Sequence, residues 1–181
     1  MLDVRKATAE DCSLLCRLGA ETYRSAFPDI WSPNRMEAYI AGEFASDAVL
    51  KSLDQPDRAV WMIAETQGVA IGFAKLNWSL ELPVAQGMGV PRPLGTELQK
   101  LYFQAAHLGR GHGARMIDAI VAAVKAHEAG TRTPLLWLQV LKSNARARAF
   151  YGRHGFEVVE QVPFGTDLKE IGLWVMARRL A

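Results

Sequence analysis

Three glycines alternate with an arginine and a histidine in Leu108-Gly109-Arg110-Gly111-His112-Gly113-Ala114-Arg115, just ahead of a long amphipathic stretch. Glycine costs about 1 kcal/mol relative to alanine inside a helix, so a helix start rich in it needs a reason. Close approach of an anion supplies one. The first N–H groups of a helix have no internal partner, and the helix dipole is positive there. Glycines let a diphosphate touch those groups, while Arg110 and Arg115 add charge. A Walker loop is excluded, because no Gly-Lys-Ser/Thr follows the turn. The dinucleotide fingerprint fits Gly109, Gly111 and Ala114, but it expects an acid about 20 residues on. No Asp or Glu occurs from residue 129 to 156.

That absence of acids is a signal of its own. Residues 98–117 hold Lys100, Arg110 and Arg115 and no carboxylate; residues 129–156 hold Arg132, Lys142, Arg146, Arg148 and Arg153 and again none. Two acid-free segments make a dock for a ligand with several phosphates, through local potential rather than net charge. The second segment contains Asn144 and Tyr151, seven residues apart and so on one helix face, with the small Ala147 between them.

The elements that must position these groups follow from pattern. Val4–Ala7 reads as a strand, and Thr8-Ala-Glu-Asp resembles a capping box before a helix over about 9–25. Ser32-Pro33 starts a second helix ending near Phe44, and a third covers about Asp47–Leu53. Ala59–Glu65 and Val69–Trp78 read as strands joined by a turn at Gln67-Gly68. Residues 80–95, with three prolines and three glycines, read as a loop. Thr96–Gln104 is a strand and Gly111–Ala129 a helix, with Met116, Ile117, Ile120, Val121 and Val124 inward and Gly130 at its C-terminal stop. Leu135–Leu141 is nearly all apolar, which predicts a central strand covered on both faces. Asn144–His154 is a helix stopped by Gly155; Phe156–Glu160 and Ile171–Ala177 are the last strands. The β-α-β-α-β order of the second half implies an α/β or α+β layer fold in which that unit's strands are parallel.

The totals exclude several classes. The 181 residues are 50% hydrophobic and 22% charged with net charge +2, too little basic excess for a nucleic-acid binder. No apolar run reaches the roughly 20 residues of a membrane span, and the start lacks a secretion signal's apolar core, so the expected location is cytoplasmic. Cys12 and Cys16, four apart, read as small packed hydrophobes rather than a redox or metal pair.

Two motifs carry a family resemblance. Glu97-Leu-Gln-Lys-Leu-Tyr-Phe103 followed by Leu108-Gly-Arg-Gly-His-Gly-Ala114 resembles the cofactor strand and Q/R-x-x-G-x-G/A turn of the GNAT superfamily of N-acetyltransferases. Asn144-Ala-Arg-Ala-Arg-Ala-Phe-Tyr151-Gly-Arg-His-Gly-Phe156 resembles that family's N-x-x-A-x-x-F-Y-x-x-x-G-F segment. Glu21-Thr-Tyr23 and Phe27 are similar to the bacterial polyamine (spermidine/spermine) acetyltransferase-like branch. Leu108, Phe103 and His112 depart from the residues usual at their places.

The resemblance implies one N-acetyltransferase domain over residues 1–181. Its fold would be a mixed, mostly antiparallel central sheet with a parallel, splayed central strand pair and helices on both faces. It implies acetyl-CoA (coenzyme A) as cofactor, held by Leu101, Tyr102, Phe103, Leu108, Gly109, Arg110, Gly111, His112, Gly113, Ala114, Asn144, Ala147 and Tyr151. The amine then attacks the thioester directly, with main-chain N–H groups around Leu101–Phe103 polarising the carbonyl; a bulge in that strand would free them. Tyr151 matches the family's general acid. Glu97 is the candidate base, acting through water, its alternative being a strand-end charge without a role. Glu21, Tyr23, Phe27 and Trp31 would bind a primary amine of a small molecule such as a polyamine. Tyr39, Asp29 and Glu37 lie near them in sequence, and core packing is the alternative for the aromatics. The partners implied are that amine and a second copy in a homodimer, with no nucleic acid, membrane or metal. The rival readings are a non-catalytic acyl-CoA-binding module and a protein or peptide acetyltransferase.

Overall fold

The computed structural model describes residues 2–84 and 92–181; the centre of the loop read over 80–95 lies outside them. Among the described residues seven strands and five α-helices follow in the order β1 Leu2–Lys6, α1 Cys12–Ala26, α2 Pro33–Glu43, α3 Ser46–Leu53, β2 Ala59–Thr66, β3 Val69–Glu81, β4 Leu94–Phe103, α4 His112–His127, β5 Leu135–Leu141, α5 Ala145–Arg153, β6 Glu157–Val162 and β7 Leu173–Arg179. Hydrogen bonds join the strands in the order β1-β2-β3-β4-β5-β7-β6. β1–β2, β5–β7 and β6–β7 are antiparallel, while β4–β5 is parallel, pairing Thr96 with Leu136 and Glu97 with Trp137. Leu98 and Gln99 have no partner in that parallel register. This is the mixed α/β sheet that the sequence predicts.

Two compact units are formed, Met1–Leu76 with Lys100–Met116 and Asn77–Gln99 with Ile117–Ala181. In the first, Leu15, Leu18 and Tyr23 of α1, Met36 and Ile40 of α2, Phe44, and Val49 of α3 pack on Trp61, Ile63 and Phe73. Fully burying such side chains contributes about 1.5–3 kcal/mol each. Trp61 keeps its one polar atom satisfied by donating Nε1–H to Ser52 Oγ at 3.0 Å. In the second unit, Leu135 and Trp137 of β5 pack with Leu82, Val175 and Ala177. Leu136, Leu138 and Val140 are buried on the other face of β5, so that strand is covered on both sides as its composition requires.

Local signals set most boundaries. The Gln67-Gly68 turn has both residues at positive φ, 52° and 75°, the geometry of a two-residue hairpin turn. The capping box forms, with the Thr8 N–H donating to Asp11 Oδ2 at 2.8 Å, but its first turn, Ala9–Asp11, is a 3₁₀ turn ahead of α1. Three expectations need correction. The loop is shorter than 80–95, because the Leu82 N–H donates to the Pro93 carbonyl at 2.8 Å and prolongs the pairing of β3 and β4. Gly130 does not stop α4, which ends at His127; the Thr131 N–H donates to the Glu128 carbonyl at 2.8 Å, and Gly130 is not left-handed. Met116, Ile117, Ile120 and Val124 are fully buried on α4, but Val121 only half. Cys12 is buried and Cys16 half-buried, both thiols free, with the sulfurs 3.9 Å apart. No helix is long and apolar enough to cross a membrane, and no cluster of metal-ligating side chains is present, among the described residues.

Asp11 ties β1 to the start of α1. Arg5 donates to both of its oxygens at 2.8 Å and, through Nε, to Glu65 at 3.0 Å. Chiefly that Arg5 hydrogen bond pulls the Asp11 carboxyl from 3.8 down to about 2. A depressed folded value contributes stability above the ordinary carboxylate range that is lost as pH falls through it. Replacing Asp11 by Asn is expected to lower unfolding stability by about 1 kcal/mol at neutral pH, the half-exposed guanidinium limiting the loss. Urea unfolding should show the gap from wild type closing as pH drops from about 4 to about 2.

Candidate active site

In the first unit, β4 ends where the Gln104 N–H donates to the Ile71 carbonyl at 2.9 Å. A 3₁₀ turn at Ala105–His107 and an extended Leu108 then lead into the glycine segment. Gly109 and Gly111 have φ of 76° and 78°. A Cβ at either would meet no atom within 4 Å, so conformation rather than space demands glycine. A side chain in that region costs roughly 1–2 kcal/mol. Gly113 differs: α4 begins at His112, so it lies inside the first helical turn. Arg110, Arg115 and Leu108 are exposed. The His112 ring stacks at 6.1 Å on Phe103 and lies 6.2 Å from that of His107. Phe103 lies across Gly72, where an added Cβ would come within 2.4 Å of its ring. Burial, and then the charges of His107, Arg110 and Arg115, lower the His112 pKa from its usual 6.5.

The aromatic residues of the same unit do assemble. Tyr23 stacks on Tyr39 at 4.5 Å and tilts against Phe27 at 4.7 Å, and Trp31 stacks on Tyr39 at 6.1 Å. Trp31 Nε1–H donates to Tyr23 Oη at 3.2 Å. Burial raises the pKa of both tyrosines, so their hydroxyls stay protonated. Tyr102 of β4 joins edge-on, 6.2 Å from Tyr23 and 6.0 Å from Phe27. The neighbouring acids are engaged. Glu21 accepts from Gln104 Nε2 at 3.0 Å, and Glu37 pairs with Arg24 at 2.6 Å. Glu43 pairs at 2.7 Å with Lys100, an ammonium only 5% exposed that also lies 5.4 Å from the Phe44 ring. Asp29 is exposed. Sequence reasoning missed Lys100, Glu43 and Tyr102 as members of this cluster. The available signal was a lysine at an inward position of β4, between Leu98 and Tyr102.

In the second unit, Glu97 of β4 is half-buried and its Oε2 accepts from Asn77 Nδ2 at 2.7 Å. Asn77 was also missed; its mark is a lone amide in the apolar run of β3. Asn144 caps α5, its Oδ1 accepting from the Ala147 N–H at 3.0 Å, which leaves the Nδ2 amide as a donor. Ala147 and Tyr151 are half-buried. The Tyr151 ring packs at 5.2 Å on Phe150 and 5.6 Å on Phe156, and its hydroxyl meets no hydrogen-bond partner among the described residues. Burial pushes that phenol up from 10, keeping it protonated and able to donate. Gly155, at φ 78°, ends the helix as its position predicts.

The family model described as "Acetyltransferase (GNAT) family" matches residues 19–156, a span that contains both motifs. The chain belongs to that family, and the enzyme class expected from its residues is thereby met. An uncharacterized N-acetyltransferase of Mycobacterium bovis is 25% identical over 170 residues, 94% of this chain and 98% of its own. Among solved structures, PaiA N-acetyltransferase from Thermoplasma acidophilum, in complex with coenzyme A, superposes with a TM-score of 0.74 at 19% identity over 99% of both chains. YncA from Salmonella typhimurium, with its cofactor acetyl-CoA, gives 0.66 at 18% identity over 100% of this chain and 95% of its own. These likenesses show the fold.

The cap makes a separable prediction. Asn144→Ala should cost about 1 kcal/mol of unfolding stability, whereas Asn144→Asp, which keeps an acceptor for the Ala147 N–H, should cost far less. Urea unfolding of both variants reads the difference.

Proposed function

We propose that this chain transfers the acetyl group of acetyl-CoA to a primary amine of a small molecule, by direct attack and without an acyl-enzyme. The observation that carries the reading is the pair of left-handed glycines opening α4, within a stretch from 98 to 117 that contains no carboxylate. The solved relatives that hold coenzyme A or acetyl-CoA support it. Acetyl-CoA supplies an activated thioester whose carbonyl oxygen gains charge as the amine adds.

The chain's residues then divide the work. N–H groups of Gly109 to Ala114 hold the diphosphate, with Arg110 and Arg115 adding charge. Leu108, Phe103 and His112 line that turn. Main-chain N–H groups of Leu101, Tyr102 and Phe103 hold the pantetheine arm and donate to the developing oxyanion, a contribution of about 3 kcal/mol. Asn144, with its Oδ1 committed to the cap, offers Nδ2 to the same arm, and Ala147 leaves room for it. Glu97, oriented by Asn77, takes the amine proton through a water. A lysine-like amine is protonated at all but roughly one part in a few thousand at neutral pH, so that removal is required. Tyr151 donates to the departing sulfur.

The acceptor enters at Glu21, Tyr23, Phe27 and Trp31, where aromatic faces favour an alkylammonium, a polyamine among the candidates. Most of the acids there are already paired, which leaves the aromatic faces as the attraction.

Thiol release from acetyl-CoA over a panel of amines tests the reading; tight cofactor binding with turnover on no amine would sink it. Tyr151→Phe should lower kcat by at most about 100-fold, because a thiolate is already a fair leaving group. Glu97→Gln should lower kcat and flatten the acid limb of the pH–rate profile, with little change in the KM for acetyl-CoA.

A further inference from the structure

The imidazoles of His107 and His112 stand at the opening of α4, 6.2 Å apart, one on the 3₁₀ turn that precedes the left-handed glycines and one at the first residue of the helix. The groups around them are cationic or apolar. Arg110 lies between them in the chain and Arg115 follows on α4; β4 contributes the ring of Phe103, stacked on His112. The carboxylate of α1 brought to the end of β4, Glu21, is tied to the Gln104 amide. Residues 98–117 contain no acid. In the unliganded protein a proton on His112 therefore meets burial, two guanidiniums, a second imidazole and the positive end of a helix. Among the described residues no carboxylate pairs with either imidazole to balance that proton, and an arriving diphosphate would.

We propose that His112, with the His107 ring beside it, is a proton-accepting arm of the diphosphate site, neutral when the site is empty and charged when the anion is bound. The inference rests on the glycine turn being the diphosphate site. Its sign follows from linkage. An anion placed beside His112 favours its imidazolium form, so binding takes up a proton, and by reciprocity affinity rises as pH falls through the imidazole range. A shift of one unit on one imidazole amounts to about tenfold in affinity.

The probe is dephospho-CoA, which keeps the diphosphate and lacks the 3′-phosphate that would itself titrate in this range. Calorimetry on the intact protein should show it binding about tenfold more tightly at about pH 5.5 than at about pH 8, with net proton uptake revealed by buffers of different ionisation enthalpy. The His107→Asn, His112→Asn double variant should lose most of that slope. A readout that needs no variant is the imidazole NMR titration of the wild type: His112 should titrate at higher pH with dephospho-CoA bound than without it. A flat affinity profile, or a His112 midpoint unmoved or lowered by the ligand, overturns the inference while leaving the glycine-turn reading intact. Failure to bind dephospho-CoA and CoA at every pH overturns that reading and this inference together.

Discussion

A helix opens with N–H groups that have no partner within the helix, and in this protein α4 opens where the backbone has been freed of side chains. Gly109 and Gly111 hold φ values of 76° and 78° with empty space around them. The strain is accepted for conformation, not for packing. The stretch 98–117 that contains this opening has no carboxylate of its own and supplies arginine and histidine, although the whole chain carries only +2. The proposed chemistry needs little more from the protein than fixed donors and one proton acceptor.

Local pattern made much of this legible. Thr8 and Asp11, Ser32 and Pro33, Gln67 and Gly68, and Gly155 each state a boundary within three residues of themselves, and the structure follows them. β5 was legible because seven nearly continuous apolar residues leave no solvated face. Gly130 misled because α4 ends by unwinding through Glu128 and Thr131, a backbone event that glycine does not mark. Gly113 lies in the helix as the pattern over 111–129 predicts, while Gly111, left-handed, stays in the turn and α4 begins one residue later at His112.

What was not legible joins residues far apart. Asn77 meets Glu97 across 20 residues and Lys100 meets Glu43 across 57. Composition near either partner gives no hint of the other. The aromatic cluster shows the same limit. Its α1–α2 members could be grouped from sequence, but the entry of Tyr102 depended on how β4 lies against α1, and the occupation of nearby acids depended on Gln104, Arg24 and Lys100. Beside these acids and aromatics the protein places one of its own ammoniums, Lys100, on Glu43 and next to the Phe44 ring.

That internal ammonium acts as a latch. Lys100 is 5% exposed, and Glu43 closes α2 at the end where a negative charge is least welcome to the helix dipole. Each group relieves the other, so drawing α2 away from β4 would strand a cation in an apolar setting and leave an anion on the wrong helix end. Within that unit the pair fastens the Glu43 end of α2 to β4, while the Phe27–Ser32 connection ahead of α2 is held by Trp31 against Tyr23 and Tyr39. A molecule entering among the aromatics would meet a wall that one buried ion pair holds shut at its far end.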